Sequence, residues 1–202
     1  MNQSKKVLLI NTHLTYPNWT EGTLNASFFQ TAKDFFEANN FEVLETKVEK
    51  GYNPEEEVEK HLEADIIILQ TPVNWFGAPW IYKKYIDEVF NSGLQSQKLL
   101  TDDGRTREDP SKQYGTGGKM QGKKFMVCAT WNAPAASFND PNQVLFEGRS
   151  TADAFIAITS NYRFCGAEVV ADYNCFDIFK DGDIARDLEN YPSHLSNVFN
   201  LD

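Results

Sequence analysis

The chain has 202 residues, of which 41% are hydrophobic, 24% charged and 13% aromatic. Its formal net charge of −10 and pI of about 4.8 argue against a nucleic-acid or anionic-membrane partner, because both are held by clustered Lys and Arg that displace counterions. No stretch approaches the roughly 18 apolar residues of a membrane span, and the four-residue apolar run in MNQSKKVLLIN is too short for a signal segment, so a cytoplasmic protein is expected.

Residues 7–10 (VLLI) read as a short, buried parallel strand. A polar, aromatic loop follows, and then Leu24, Phe28, Ala32 and Phe35 recur at helical spacing, with Thr23 as the expected cap and Asn39-Asn40 as the expected end. Residues 41–48 alternate as an edge strand. Pro54 opens an acidic helix carrying Val58 and Leu62, with glutamates in the first turn where the helix dipole favours them. Residues 65–71 form a third strand, and Pro79 starts a helix through Trp80, Tyr85, Ile86 and Val89. Residues 125–130 give the fourth strand, 151–164 a helix, 168–173 the fifth strand and 183–199 a last helix, which Pro192 is expected to split or kink.

Strands interleaved with helices predict an α/β fold, a flavodoxin-like three-layer sandwich whose five-stranded parallel sheet has the order 2-1-3-4-5. That order sets ligands outside the carboxyl ends of strands 1, 3 and 4. A chain of this length predicts one domain, 1–202, since single cores stay coherent to roughly 250 residues. One segment, 92–122, breaks the rhythm with few apolar residues and many Gly, Asp and Lys. A loop of that length is a lid, a binding arm or disordered.

Three loops at the predicted strand ends share a character. The first ends in Gly22-Thr23-Leu24-Asn25 at a helix start, where exposed N–H groups and the positive helix end suit a phosphate, although a plain capped helix would read the same way. The second, TPVNWFGAPW at 71–80, leaves a buried strand between two prolines. There the amides of Val73, Asn74, Trp75 and Phe76 are expected to point in fixed directions that suit a flat heteroaromatic ring, unless the aromatic pair simply caps the core. The third, Thr130-Trp131-Asn132-Ala133-Pro134, repeats the pattern of aromatic, amide and proline. Together they favour a planar, phosphate-bearing ligand.

Other chemistry finds little support. Gly115-Thr116-Gly117-Gly118 follows no strand and opens no helix, so it is not a dinucleotide signature, and no G-x-S-x-G, Walker or H-E-x-x-H sequence occurs. Cys128, Cys165 and Cys175 are odd in number and widely spaced, as reduced thiols are. With His13, His61 and His194 also scattered, no metal site is expected. Arg105, Arg107, Lys112, Lys119, Lys123 and Lys124 make a local basic patch, read either as a solvated, salt-bridged excursion or as a contact for an anionic nucleotide.

At four places the chain resembles a known family: GAPW-x-x-KKYID-x-VF at 77–90, DGRTR-x-DPSK-x-YG-x-GG at 103–118, QGKK at 121–124 and TWNAP at 130–134. The resemblance is to the bacterial NAD(P)H:quinone oxidoreductases known as modulator of drug activity B, a branch of the flavodoxin-like quinone reductases. It implies a homodimeric flavoprotein with non-covalent FAD at the subunit interface, carrying two-electron, ping-pong hydride transfer from NADPH, or NADH, to quinones. By the family pattern Thr20, Gly22, Thr23, Leu24, Asn25 and Ser27 hold the phosphates and ribityl chain. Pro72, Val73, Asn74, Trp75, Phe76 and Tyr114 meet the flavin, and Thr130, Trp131, Asn132 and Ala133 flank the ring, with Trp131 and Asn132 nearest the chemistry. The family often has Gly-Trp where this chain has Val73-Asn74, and the first loop here is one residue longer. Rival readings are an FMN-dependent azo or nitro reductase and an ancillary redox-sensing regulatory subunit.

Overall fold

The structure, a computed structural model, describes residues 4–201. Strands β1 (Lys6–Asn11), β2 (Glu42–Lys47), β3 (Ile66–Pro72), β4 (Lys124–Thr130), β5 (Glu168–Val169) and β6 (Tyr173–Cys175) form one parallel sheet of order β2-β1-β3-β4-β5, with β6 also paired to β4. Helices α1 (Thr23–Ala38), α2 (Pro54–Glu63), α3 (Trp80–Gln95), α4 (Thr151–Ala154), α5 (Ile156–Phe164) and α6 (Ile184–Phe199) cover both faces. The period of two along each strand divides the core. Leu8, Ile10, Ile67, Leu69, Phe125 and Val127 face α2, α3 and α5, whereas Val7, Leu9, Ile66, Ile68 and Met126 face α1 and α6. Because both faces are covered, the central strands read as unbroken apolar runs rather than alternating ones.

Four local expectations are corrected. The fifth strand is two strands in one line: Phe125 pairs with Val169 and Cys128 with Tyr173, so three steps along β4 meet four along its partner. The extra residue is a bulge at 170–172, and pairing runs on to Cys175. The helix expected over 151–164 breaks at Phe155, a buried ring 5.2 Å from that of Trp131; a Ser150–Asp153 capping box opens the first piece. Pro192 does not split the last helix, which runs from Ile184 to Phe199 with Tyr191, Leu195 and Phe199 buried. The Tyr173 hydroxyl donates to the Asp187 carbonyl oxygen at 2.6 Å, anchoring the turn before the proline. The helix before the long loop ends at Gln95 rather than at Asn91, because Gly93 is no breaker: a Cβ there would lie 2.6 Å from Leu99, so the glycine admits the returning chain.

The long loop is pinned at its base. Leu99, Leu100 and Met120 are buried, Leu100 bridges Gly118, and the Met120 amide donates to the Cys165 carbonyl oxygen at 2.8 Å. Gly118 passes so close to Cys165 that a Cβ would sit 2.1 Å from its carbonyl carbon. Farther out, Arg105 pairs with Asp103 at 2.5 Å and lies 5.2 Å over the Tyr114 ring, which itself leans on Phe164. Arg105 is thus engaged within the loop, as the salt-bridged reading of the basic patch expects.

Candidate active site

The carboxyl ends of β1 and β3 are tied to the start of α1 by a side-chain amide chain. Asn25, buried, donates to Asn11 Oδ1 at 2.8 Å and accepts from Gln70 Nε2 at 3.0 Å. Thr23 does not cap the helix: the N-cap is Gly22, at φ 75, with no side-chain cap. The amides of Thr23, Leu24 and Asn25 have no partner among the described residues, the first bond being Ala26 N–H to the Gly22 carbonyl oxygen at 2.8 Å, and no acidic residue stands in the first turn. This is the arrangement an anion takes at a helix start. The His13 ring lies against Gly22, 3.3 Å from the Thr20 hydroxyl, and its burial lowers its pKa. Ser27 turns its hydroxyl back to the Thr23 carbonyl oxygen at 3.1 Å.

Beyond β3 the chain makes a tight reversal. Asn74 and Gly77 exchange both backbone hydrogen bonds, at 2.8 and 3.2 Å, around Trp75 and Phe76, which stand at φ 50 and 68. Two central residues at positive φ define a type I′ hairpin turn, whose usual occupants are Asn and Gly. Left-handed backbone costs an L-residue roughly 1–2 kcal/mol, so two bulky aromatics there are held against their preference. The side chains are nonetheless outward: Trp75 is 91% exposed and Phe76 51%. Of the four amides expected to face a ligand, Val73 donates to the Thr130 carbonyl oxygen at 2.9 Å and Asn74 to Gly77, so only those of Trp75 and Phe76 lack a partner among the described residues.

This reversal borders an open cleft of about 800 Å³ lined by Val73, Trp75, Phe76, Trp131, Asn132 and Ala133. Its other side is formed by Pro134, Ser137, Leu145, Asp177, Lys180 and Asp181. Trp131 lines the cleft from within the core. It is 1% exposed, set among Phe138, Phe146 and Phe155, with its indole Nε1 donating to Asn174 Oδ1 at 2.7 Å and its backbone amide to the Cys175 carbonyl oxygen at 2.8 Å. Its N–H is therefore unavailable to a ligand, and it serves as a fixed back wall. Asn132 is exposed beside it.

Not every predicted residue reaches this cleft. Thr20 to Ser27, Pro72, Asn74 and Thr130 do not line it, and Tyr114 lies apart on Phe164. Sequence reasoning also missed a fourth wall. The turn after β6 is tied to the third loop by Asp177 N–H to Ala133 and Ile178 N–H to Trp131, both at 3.1 Å, and it brings Asp177, Lys180 and Asp181 to the rim. The signal present was the FDIFKDGD segment with its turn-forming Asp-Gly pair, left unread between a strand and a helix.

The family model described as flavodoxin-like fold matches residues 5–195. NADPH:quinone oxidoreductase MdaB of Haemophilus influenzae is 37% identical over 180 residues, covering 89% of this chain and 92% of that protein. Two crystal structures share the fold. A candidate quinone reductase from Klebsiella pneumoniae has a TM-score of 0.76 at 21% identity, covering 98% of this chain and 86% of its own. General stress protein 14 of Treponema denticola, in complex with FMN, has a TM-score of 0.65 at 19% identity, covering 96% and 99%.

Proposed function

Since the chain belongs to the flavodoxin-like family, in the branch of the NAD(P)H:quinone oxidoreductases known as modulator of drug activity B, we propose that it is an NAD(P)H dehydrogenase of quinones that holds FAD non-covalently and uses NADPH, or NADH, by a ping-pong course. The observation that carries this reading is the cleft itself, with an aromatic turn whose two amides are uncommitted, together with an uncapped helix start tied to the ends of β1 and β3 that has three more. A bound flavin would supply two-electron transfer between nicotinamide and quinone.

The chain's own residues fit such a group. The free amides of Thr23, Leu24 and Asn25 would take its phosphates, and the Trp75 and Phe76 amides would donate to the polar edge of its ring, aimed by a turn that does not reorganise. Val73, Phe76 and Ala133 give that ring apolar surroundings, and buried Trp131 keeps water from its rear. One open side must serve donor and acceptor in succession, each needing approach to roughly 3–3.5 Å, so the walls matter more than any one acid or base. Trp80, Val144, Leu145 and Phe179 are exposed at 62%, 95%, 56% and 75%, large apolar groups that a second copy of the chain would cover. A homodimer in the cytoplasm is the proposed state.

The purified protein is expected to be yellow, to release FAD on denaturation, and to oxidise NADPH rapidly only when a simple quinone is present. Colourless protein that takes up no flavin defeats the reading. Release of FMN with turnover of azo dyes favours the rival reductase, while flavin without turnover favours a regulatory subunit. Gly22→Ala is expected to weaken flavin binding about tenfold and to lower stability by about 1 kcal/mol, because the new Cβ would lie 2.5 Å from His13 Nδ1 at a positive φ. Flavin titration and urea melts measure the two effects.

A further inference from the structure

The turn after β6 is the side of the cleft whose chemistry is still unassigned. It is rigid. Asp177 stands at φ 54, the amides of Lys180 and Gly182 both donate to its carbonyl oxygen at 3.1 Å, and a Cβ on Gly182 would meet the Phe176 carbonyl oxygen at 2.3 Å. Two further backbone bonds lash this turn to the Trp131 loop. The position of the Lys180 Cα relative to the cleft is thereby set, while its side chain stays exposed.

Lys180 is the only cation lining the cleft among the described residues. Its ammonium has no carboxylate within ion-pair distance among them, although Asp177 and Asp181 line the same cleft. Lys6, Lys33, Lys60, Lys83, Lys84 and Lys98 all hold a carboxylate. Other lysines such as Lys47, Lys50 and Lys112 also hold no carboxylate among the described residues, so what sets Lys180 apart is its place in the cleft. The opposite wall is aromatic, the shape that takes a planar carbonyl compound by its faces and leaves its oxygen at the polar rim.

Resting on the quinone-reductase reading, we propose that Lys180 binds the carbonyl oxygen of the quinone acceptor and gives it a proton. Reduction of a quinone to a hydroquinone adds two electrons and two protons. NADPH supplies both electrons and one hydrogen; the remaining proton passes from Lys180 Nζ to the oxygen as C=O becomes C–O–H, and solvent reprotonates the exposed amine.

The test uses flavin-loaded wild type, Lys180→Met and Lys180→Arg, with the two half-reactions followed separately by anaerobic stopped flow. Lys180→Met is expected to slow reoxidation by a neutral naphthoquinone ~20-fold, below the 10²–10⁴ of a sheltered acid because water reaches the rim, and to leave reduction by NADPH within about twofold. It is also expected to weaken binding of a redox-inert hydroxycoumarin anion about tenfold, read by tryptophan fluorescence, and Lys180→Arg restores that binding without restoring reoxidation. Wild-type turnover with Lys180→Met unchanged in both half-reactions overturns this inference alone. Equal loss in both half-reactions also overturns it, since the lysine then serves the nucleotide. A wild type without quinone-dependent NADPH oxidation overturns the underlying reading as well.

Discussion

Replacing Trp75→Asn together with Phe76→Gly is expected to make the protein more stable and nearly inactive. The reversal between Asn74 and Gly77 keeps its reciprocal hydrogen bonds, and Asn and Gly occupy positive φ without the penalty borne by Trp and Phe. The released strain is about 2 kcal/mol net, and little burial is lost because both rings are largely outward, Phe76 touching Phe146 edge-on at 6.0 Å. In a chain of this size that raises Tm by about 4–8 °C. Quinone-dependent NADPH oxidation should fall by about 100-fold or more, as the ring loses its apolar flank and its positioning. Calorimetry and steady-state rates on one preparation read both. Loss of stability and activity together would mean that the two rings are core, not site.

The second large effect is acid sensitivity centred on His61. This α2 residue is fully buried against Phe90 of α3 and Tyr162 of α5, its Nδ1 2.8 Å from the Glu57 carbonyl oxygen and its Nε2 3.4 Å from the Tyr162 hydroxyl. A carbonyl only accepts, so Nδ1 carries the hydrogen and Nε2 receives the phenol's. Burial lowers the pKa to about 4, with the nearby Lys123 and Lys60 ammoniums acting in the same direction and Glu57 opposing. The unfolded chain protonates His61 near pH 6.5 and the folded chain only near pH 4. Below pH 6.5 the unfolded state therefore binds more protons, and stability falls as pH falls through that window. The full loss is about 3 kcal/mol. Urea melts at pH 7 and pH 4.5 should differ by most of that amount in the wild type, and by clearly less in His61→Gln, whose comparison removes the carboxylates common to both chains. Equal slopes would show that His61 titrates normally in the folded state.

Much of the architecture was legible because strand and helix periods are loud where burial is two-sided. The runs VLLI, IIIL and FMVC gave their strands directly, and the strand order followed. What sequence could not carry was the competition for backbone groups. Nothing in PVNWFG states that Val73 spends its amide on Thr130 or that Asn74 spends its own on Gly77, leaving two donors free rather than four. Likewise nothing in Thr130-Trp131-Asn132-Ala133-Pro134 states that Phe138, Phe146 and Phe155 arrive from farther along the chain to bury the Trp131 ring. The rim at Asp177, Lys180 and Asp181 was hidden for a related reason: hydrogen bonds between the loops after β4 and β6 bring it to the cleft, and loop-to-loop pairing has no periodicity.

The one-residue bulge at 170–172 makes the chain's side-chain parity change partway along a single line of pairing. Because of it, Asn174 points to the indole of Trp131 and Cys175 to the opposite layer beside Cys128. Deleting one residue from that kink would leave the backbone ladder able to form but exchange those two faces. The thiol would then stand where the amide oxygen now receives the indole, and the aromatic partition behind the cleft would lose the contact that fixes its tilt. The chamber's geometry is thus encoded partly by an odd number of residues rather than by the identity of any of them.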